Sequence, residues 1–352
     1  MEGHRAGLEG DRRVSRVRNT TRPLRLLLSS AAADTLSARI SSTLGGAAWT
    51  PIVPSDVRPD FDVGFISRDI TGLSTKHEVQ PSTQLFYDAL LAAPSLQWVH
   101  VHSAGADRPV YLTLRERGVQ VTTSSGANAP VVALSAVAGI LALARRLPLL
   151  LAAQRERRWA PLFGSERPRD LDGQSAVIVG WGPIGQRIGS LLCALGLRVT
   201  VARHSRTAAS TDIPTVQYKE LAELLPHADW LVLCCPLSAE TRHLVDRAAL
   251  ALLPRSASVV NVARGDVVDE EALIAALRSD ALAGAYLDVF AHEPLPADSP
   301  LWTLSNVIVT PHSAGFSDGN EERVARMFLD NLGRWARGEP LVGVADSSVP
   351  ST

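Results

Sequence analysis

Late in the chain three residue types that could share one reaction each follow an apolar run. Arg264 lies in VNVARG (260–265), Glu293 stands five residues past Asp288 in YLDVFAHEP (286–294), and His312 lies within TPHSAG (310–315). A guanidinium can hold a carboxylate and polarise a neighbouring carbonyl. An imidazole can give that carbonyl oxygen its proton as hydride reaches the carbon, and a carboxylate on the far ring nitrogen fixes the tautomer. Together they suit the reduction of a 2-keto acid, provided that a hydride carrier binds beside them.

A place for such a carrier is written in residues 175–189, SAVIVGWGPIGQRIG. The apolar run 176–179 reads as a strand buried on both faces, and Gly180, Gly182 and Gly185 follow at G-x-G-x-x-G spacing. Ile184, Ile188, Leu191, Leu192 and Leu195 then recur at helical period. Strand, tight glycine turn and helix N-terminus form the pyrophosphate cradle of a dinucleotide site.

The elements around these residues alternate. Strands are expected at 24–28, 63–66, 96–101, near 122, 198–202, 230–234, 259–263, 284–289 and 307–309, with helices at 32–44, 83–92, 221–227, 248–253, 270–279 and 320–337. That alternation implies parallel sheets covered on both sides, with strand ends gathered at one edge. Residues 131–147 read as one long apolar helix crossing between two such units. The small-residue loop HSAGAD (102–107) follows a strand end, where consecutive N–H groups can hold a carboxylate. The 352 residues, 46% of them apolar, allow two ordinary domains. The net charge of −1 gives no electrostatic case for nucleic acid or acidic membranes, and no apolar stretch reaches membrane-span length. Cys193, Cys234 and Cys235 lack metal-ligand spacing and read as reduced core thiols of a cytoplasmic protein. Residues 1–22 read as a disordered tail and 347–352 as frayed.

After the second strand of the glycine unit an acidic residue is expected where the adenosine ribose keeps its 2′-hydroxyl. The chain has Arg203, His204, Ser205 and Arg206 there instead, suited to a 2′-phosphate, so NADP is expected over NAD. Arginine is common here, Lys76 and Lys219 being the only lysines among 35 basic residues, so the missing carboxylate is the firmer half of that reading.

HSAGAD, GWGPIG (180–185), CCPLSAET (234–241), VNVARG, YLDVFAHEP and TPHSAG stand in one order, and by them the chain resembles the D-isomer-specific 2-hydroxyacid dehydrogenases from Pro23 to about Val344. The resemblance implies an α/β fold of two Rossmann-like or flavodoxin-like parallel-sheet domains with the active site in the cleft between them. Residues 23–127 plus 316–345 would form the substrate domain and 128–315 the dinucleotide domain. It implies Arg264 as substrate-binding, Glu293 as the partner of His312, and His312 as acid/base and substrate contact. Backbone amides at Ala104 and Gly105 would take the substrate carboxylate. Gly180, Gly182, Pro183, Ile184, Gly185, Cys235, Pro236, Thr241, Val262, Ala263, Asp288, His312 and Gly315 would border the cofactor, with Arg203 to Arg206 at its ribose. The implied activity is hydride transfer between NADP(H) and a small 2-keto or D-2-hydroxy acid of the glyoxylate or hydroxypyruvate type, in a homodimer paired through the cofactor domain. A phosphite dehydrogenase and a non-catalytic NAD(P)-sensing protein of the same fold are the alternatives. Singly, Asp288 could equally cap a neighbouring element, and Glu293 and His312 could be loop residues.

Overall fold

In the computed structural model of the chain, residues 22–345 are described apart from 55–59, 73, 76, 77 and 206. The expected frayed end, Arg206 and all of the expected tail but Arg22 therefore lie outside the described residues; Arg22 itself pairs with Asp62 at 2.6 Å and is part of the ordered first domain. Short apolar runs form two parallel sheets. The first holds β1 (Leu24–Leu27), β2 (Trp49–Ile52), β3 (Val63–Ile66), β4 (Trp98–Val101) and β5 (Gln120–Thr123) in the order β2-β1-β3-β4-β5. The second holds β6 (Ser175–Val179), β7 (Arg198–Arg203), β8 (Thr215–Gln217), β9 (Trp230–Leu233), β10 (Ser258–Asn261), β11 (Gly284–Leu287) and β12 (Val307–Val309) in the order β12-β11-β10-β9-β6-β7-β8. Strand order reverses between β1 and β3 in one sheet and between β6 and β9 in the other. Such points open crevices at the carboxyl ends of the strands.

Each sheet carries an apolar core on both faces. The helix Asn320–Ala336, late in the chain, packs on the first sheet. Its fully buried Phe328 stacks on Phe65 at 4.3 Å between ring centroids and on Trp98 at 5.7 Å. Truncating such a ring costs about 3–5 kcal/mol, which makes this contact a main anchor of the returning chain. The backbone at 343–345 then pairs antiparallel with β5, the Thr123 N–H donating to the Gly343 carbonyl and the Ala345 N–H to that of Val121.

Some elements differ from the sequence expectation. The long helix runs Ala129–Ala144 and stops, Arg146 takes φ 56°, and a second helix, Leu147–Arg155, leaves at 70°. Pro148 gives the reason, being compatible with the first turn of a helix but not with its interior. The edge strands β2 and β8 and the helix Pro109–Glu116 were not expected. Cys193 is exposed on the helix Pro183–Ala194 rather than a core thiol, because that helix turns Ile188, Gly189 and Leu192 to the sheet instead; Cys235 is buried. Among the described residues no single helix is long and apolar enough to cross a membrane.

Candidate active site

The loops at the carboxyl ends of the two sheets face each other across a cavity of about 250 Å³. It suits a substrate of few heavy atoms. Arg264, Glu293 and His312, up to 48 residues apart in sequence, all line it. From the first domain come Ser103, Gly105 and Asp107, so the HSAGAD loop faces Arg264 as well.

His312 and Glu293 are paired, the imidazole Nδ1 lying 2.7 Å from Glu293 Oε2. The histidine is half exposed, at 51%, whereas the carboxylate is 14% exposed. Burial pushes the Glu293 carboxyl upward. The hydrogen bond and charge of His312, the Phe290 N–H and the charge of Arg264 outweigh it and hold the group below the ordinary range. The Phe290 N–H donates to Oε1 at 3.1 Å, and the Thr75 hydroxyl donates to the Glu293 carbonyl at 3.1 Å from across the cleft. His312 has φ 50°, a left-handed conformation that histidine adopts more readily than bulky residues. Two backbone bonds hold it there, from the His312 N–H to the carbonyls of Asp288 at 2.8 Å and Thr310 at 3.0 Å.

Asp288 fixes the same loop from beneath. Its carboxylate, 3% exposed, accepts from the Thr310 hydroxyl at 2.6 Å and from the N–H groups of Ser313 at 2.9 Å and Ala314 at 3.0 Å. Burial raises its pKa even against those bonds. The capping role that a lone aspartate suggests is therefore present, in the service of the histidine loop.

Arg264 leaves the end of β10 with its Nη1 donating to the Ala263 carbonyl at 2.8 Å, and Asn261 ties the turn by donating to the Arg264 carbonyl at 3.1 Å. Its guanidinium reaches Asp107 at 3.3 and 3.5 Å. Nothing local in the sequence marks this role of Asp107, whose partner lies 157 residues away. Arg68 and Arg108 also line the cavity and were not expected there.

The glycine turn sits at the reversal between β6 and β9. Gly180 has φ 101°, and a Cβ there would stand 2.7 Å from the backbone of Cys235, so the two loops meet only through glycine. Gly185 brings the helix Pro183–Ala194 against the Gly180 carbonyl in the same way, while Gly182 faces open space. A cradle with an unobstructed backbone at a helix N-terminus fits a dinucleotide pyrophosphate. Pro183 and Ile184 begin that helix; Pro236 and Thr241 close a turn of their own, the threonine hydroxyl donating to the Pro236 carbonyl at 2.7 Å. Val262 and Ala263 are buried after β10, and Gly315 lies beside Asn128. Ala104 lies between two cavity-lining residues, Ser103 and Gly105. At the end of β7, Arg203 and Ser205 are half-buried and His204 is exposed. The His204 ring lies 2.6 Å from Glu240, a carboxylate that sequence spacing did not bring to this edge.

A model of the NAD-binding domain of the D-isomer specific 2-hydroxyacid dehydrogenases matches residues 137–314. A glyoxylate reductase of Korarchaeum cryptofilum is 35% identical over 250 residues, covering 70% of this chain and 75% of its own. An (S)-sulfolactate dehydrogenase of Chromohalobacter salexigens is 36% identical over 261 residues, 73% of this chain and 82% of its own. The crystal structure of a D-isomer specific 2-hydroxyacid dehydrogenase from Xanthobacter autotrophicus, in complex with NADPH and MES, superposes with a TM-score of 0.73 at 29% identity, over 92% of this chain and 98% of that one. The two parallel-sheet domains, the glycine cradle and this similarity over most of the chain lead to one conclusion: the chain belongs to the D-isomer specific 2-hydroxyacid dehydrogenase family and is an oxidoreductase of that class.

Proposed function

We propose that the protein reduces a small 2-keto acid, of the class that includes glyoxylate and hydroxypyruvate, to its D-2-hydroxy acid with NADPH. The observation that carries this reading is the His312–Glu293 pair at 2.7 Å opening on the same cavity as Arg264. When bound, the reduced nicotinamide supplies the hydride. Arg264, with the backbone of residues 104–105, holds the substrate carboxylate and draws electron density toward the carbonyl oxygen. His312 gives that oxygen its proton, and Glu293 keeps the ring oriented with Nε2 toward the cavity while balancing its charge. Residues 180–185 hold the pyrophosphate, and Arg203 with Ser205 reads the 2′-phosphate. Glu240 lies beside His204 at that edge.

The relatives act, by name, on different acids, so they support the class of substrate and not one member of it. A homodimer through the cofactor domain is supported by exposed apolar side chains along its helix pair and the segment after it, Leu134, Leu151, Trp159 and Phe163. We place the protein in the cytoplasm, a reading supported by its three free cysteines. NADPH oxidation measured against a panel of 2-keto acids, and repeated with NADH, tests the whole reading. Turnover of at least one acid with a preference for NADPH is expected. Binding of NADPH without turnover of any acid would replace catalysis by a sensing role.

A further inference from the structure

The cavity holds more positive charge than a monoanionic acid needs. Arg264 shares its charge with Asp107, and Glu293 faces His312. Arg68, at the end of β3, and Arg108, after the HSAGAD loop, line the same cavity without such compensation. Among the described residues Arg68 pairs with no carboxylate. Its guanidinium lies 4.3 Å from the ring centroid of Phe316, which lines the same cavity. Arg108 donates to the Tyr87 hydroxyl at 2.9 Å and to the Ser74 carbonyl at 2.6 Å, both neutral acceptors. The neighbouring Asp69 is exposed to solvent. His102 between them adds no charge: burial, then Arg68 and Arg108, hold its ring down at about 3, and its Nε2 lies 2.8 Å from the Thr71 hydroxyl.

Two half-buried guanidinium groups facing one small cavity repel each other unless an anion enters between them. Both are held in advance, one by stacking and the other by two fixed hydrogen bonds, so an entering anion meets an organised site. We propose, resting on the 2-keto acid reading above, that Arg68 and Arg108 form a subsite for a second anionic group, and that the preferred substrate carries a carboxylate or sulfonate on the carbon beyond the keto group. The first carboxylate and the keto oxygen engage Arg264 and the Gly105 loop, while the second group extends to the first-domain wall where β3 and β4 end. A methyl or hydroxymethyl group in that position gives neither guanidinium an anionic partner.

The test is steady-state kinetics with oxaloacetate and 3-sulfopyruvate against pyruvate, in wild type, R68M and R68K. The dianions are expected to exceed pyruvate in kcat/KM at least tenfold. That ratio should fall at least tenfold in R68M, chiefly through KM, and recover in part in R68K. Oxaloacetate alone in excess identifies a carboxylate, 3-sulfopyruvate alone a sulfonate. A wild-type ratio near one, or a ratio that R68M does not move, overturns the subsite. Calorimetric titration with D-malate and D-lactate reads it independently of turnover. D-malate should bind at least tenfold more tightly, with the advantage lost in R68M, and equal affinities overturn the proposal. Arg68-dependent D-malate binding in a protein that reduces no 2-keto acid would retire the catalytic reading and leave the subsite standing.

Discussion

Gly105→Ala places one methyl group at the point where the two domains share a charge. A Cβ on residue 105 would overlap Nη2 of Arg264 and stand 3.0 Å from Asp107 Oδ1. Gly105 does not have a positive φ, so alanine fits its backbone, and the atom that must move is the free end of a flexible side chain. The fold is spared; the guanidinium is displaced. On the reading proposed above, that displacement removes the equivalent of one charge-assisted hydrogen bond to the substrate carboxylate, worth about 1.5–3 kcal/mol. At about 1.4 kcal/mol per factor of ten, kcat/KM falls roughly 10- to 100-fold. Steady-state kinetics with the best substrate of the panel measures the loss, and thermal melting shows that it is local, with a change in Tm of a few degrees at most. A variant within threefold of wild-type kcat/KM would refute the role given to Arg264. A collapse of Tm would refute the claim that only the side chain yields.

His312→Ala removes the proton donor without touching the cradle at 180–185, so kcat should fall roughly 100-fold or more while the Kd for NADPH, read by fluorescence titration, stays within about threefold; parallel loss of both would sink the assignment. Arg203→Asp should reduce the ratio of kcat/KM for NADPH over NADH about tenfold or more by placing a negative charge at the 2′ position, and an unchanged ratio would remove Arg203 from that role. The fold lowers the pKa of Glu293 below its ordinary 4.5, so its contribution to stability is present above that value and is lost as pH falls through the folded-state pKa. The Tm advantage of wild type over Glu293→Gln should therefore shrink between pH 6 and pH 3.5 in scanning calorimetry, and an advantage that grows on acidification would contradict the sign.

Central strands were legible because burial on both faces leaves a local mark, an unbroken apolar run, as in 176–179 and 230–233. Edge strands leave none. In β2 the sequence is WTPI, with a proline that only an edge tolerates, and β8 has three residues, all half-buried. The break at Arg146 was missed because the apolar spacing continues from Leu143 to Leu147 across it, and only the backbone changes hand. The glycine turn was legible for the opposite reason, since its constraint lies within six residues. His312, Glu293 and Arg264 could be picked out because each follows a strand, and strand ends converge. Arg68 opens the short helix Arg68–Thr71 and Arg108 precedes the helix Pro109–Glu116, in a chain rich in arginine, and Glu240 meets His204 only across 36 residues of chain. Nothing periodic announces such partners; only the path of the chain does.

The same contacts bear on how the two domains work together. Among the described residues, Asp107 with Arg264 and the Thr75 hydroxyl with the Glu293 carbonyl cross the cleft in this conformation. Each joins a first-domain group to a proposed catalytic residue, so domain approach and assembly of the proposed reacting set go together. The bonds from Arg264 to Asp107, at 3.3 and 3.5 Å, are longer than the usual 2.7–2.9 Å of a charge-assisted bond. On the role proposed for Arg264, a substrate carboxylate at ordinary distance would gain more from it than Asp107 does. On that proposal Asp107 holds the arginine in the cleft in advance of the exchange, and ordering the side chain need not be set against substrate binding.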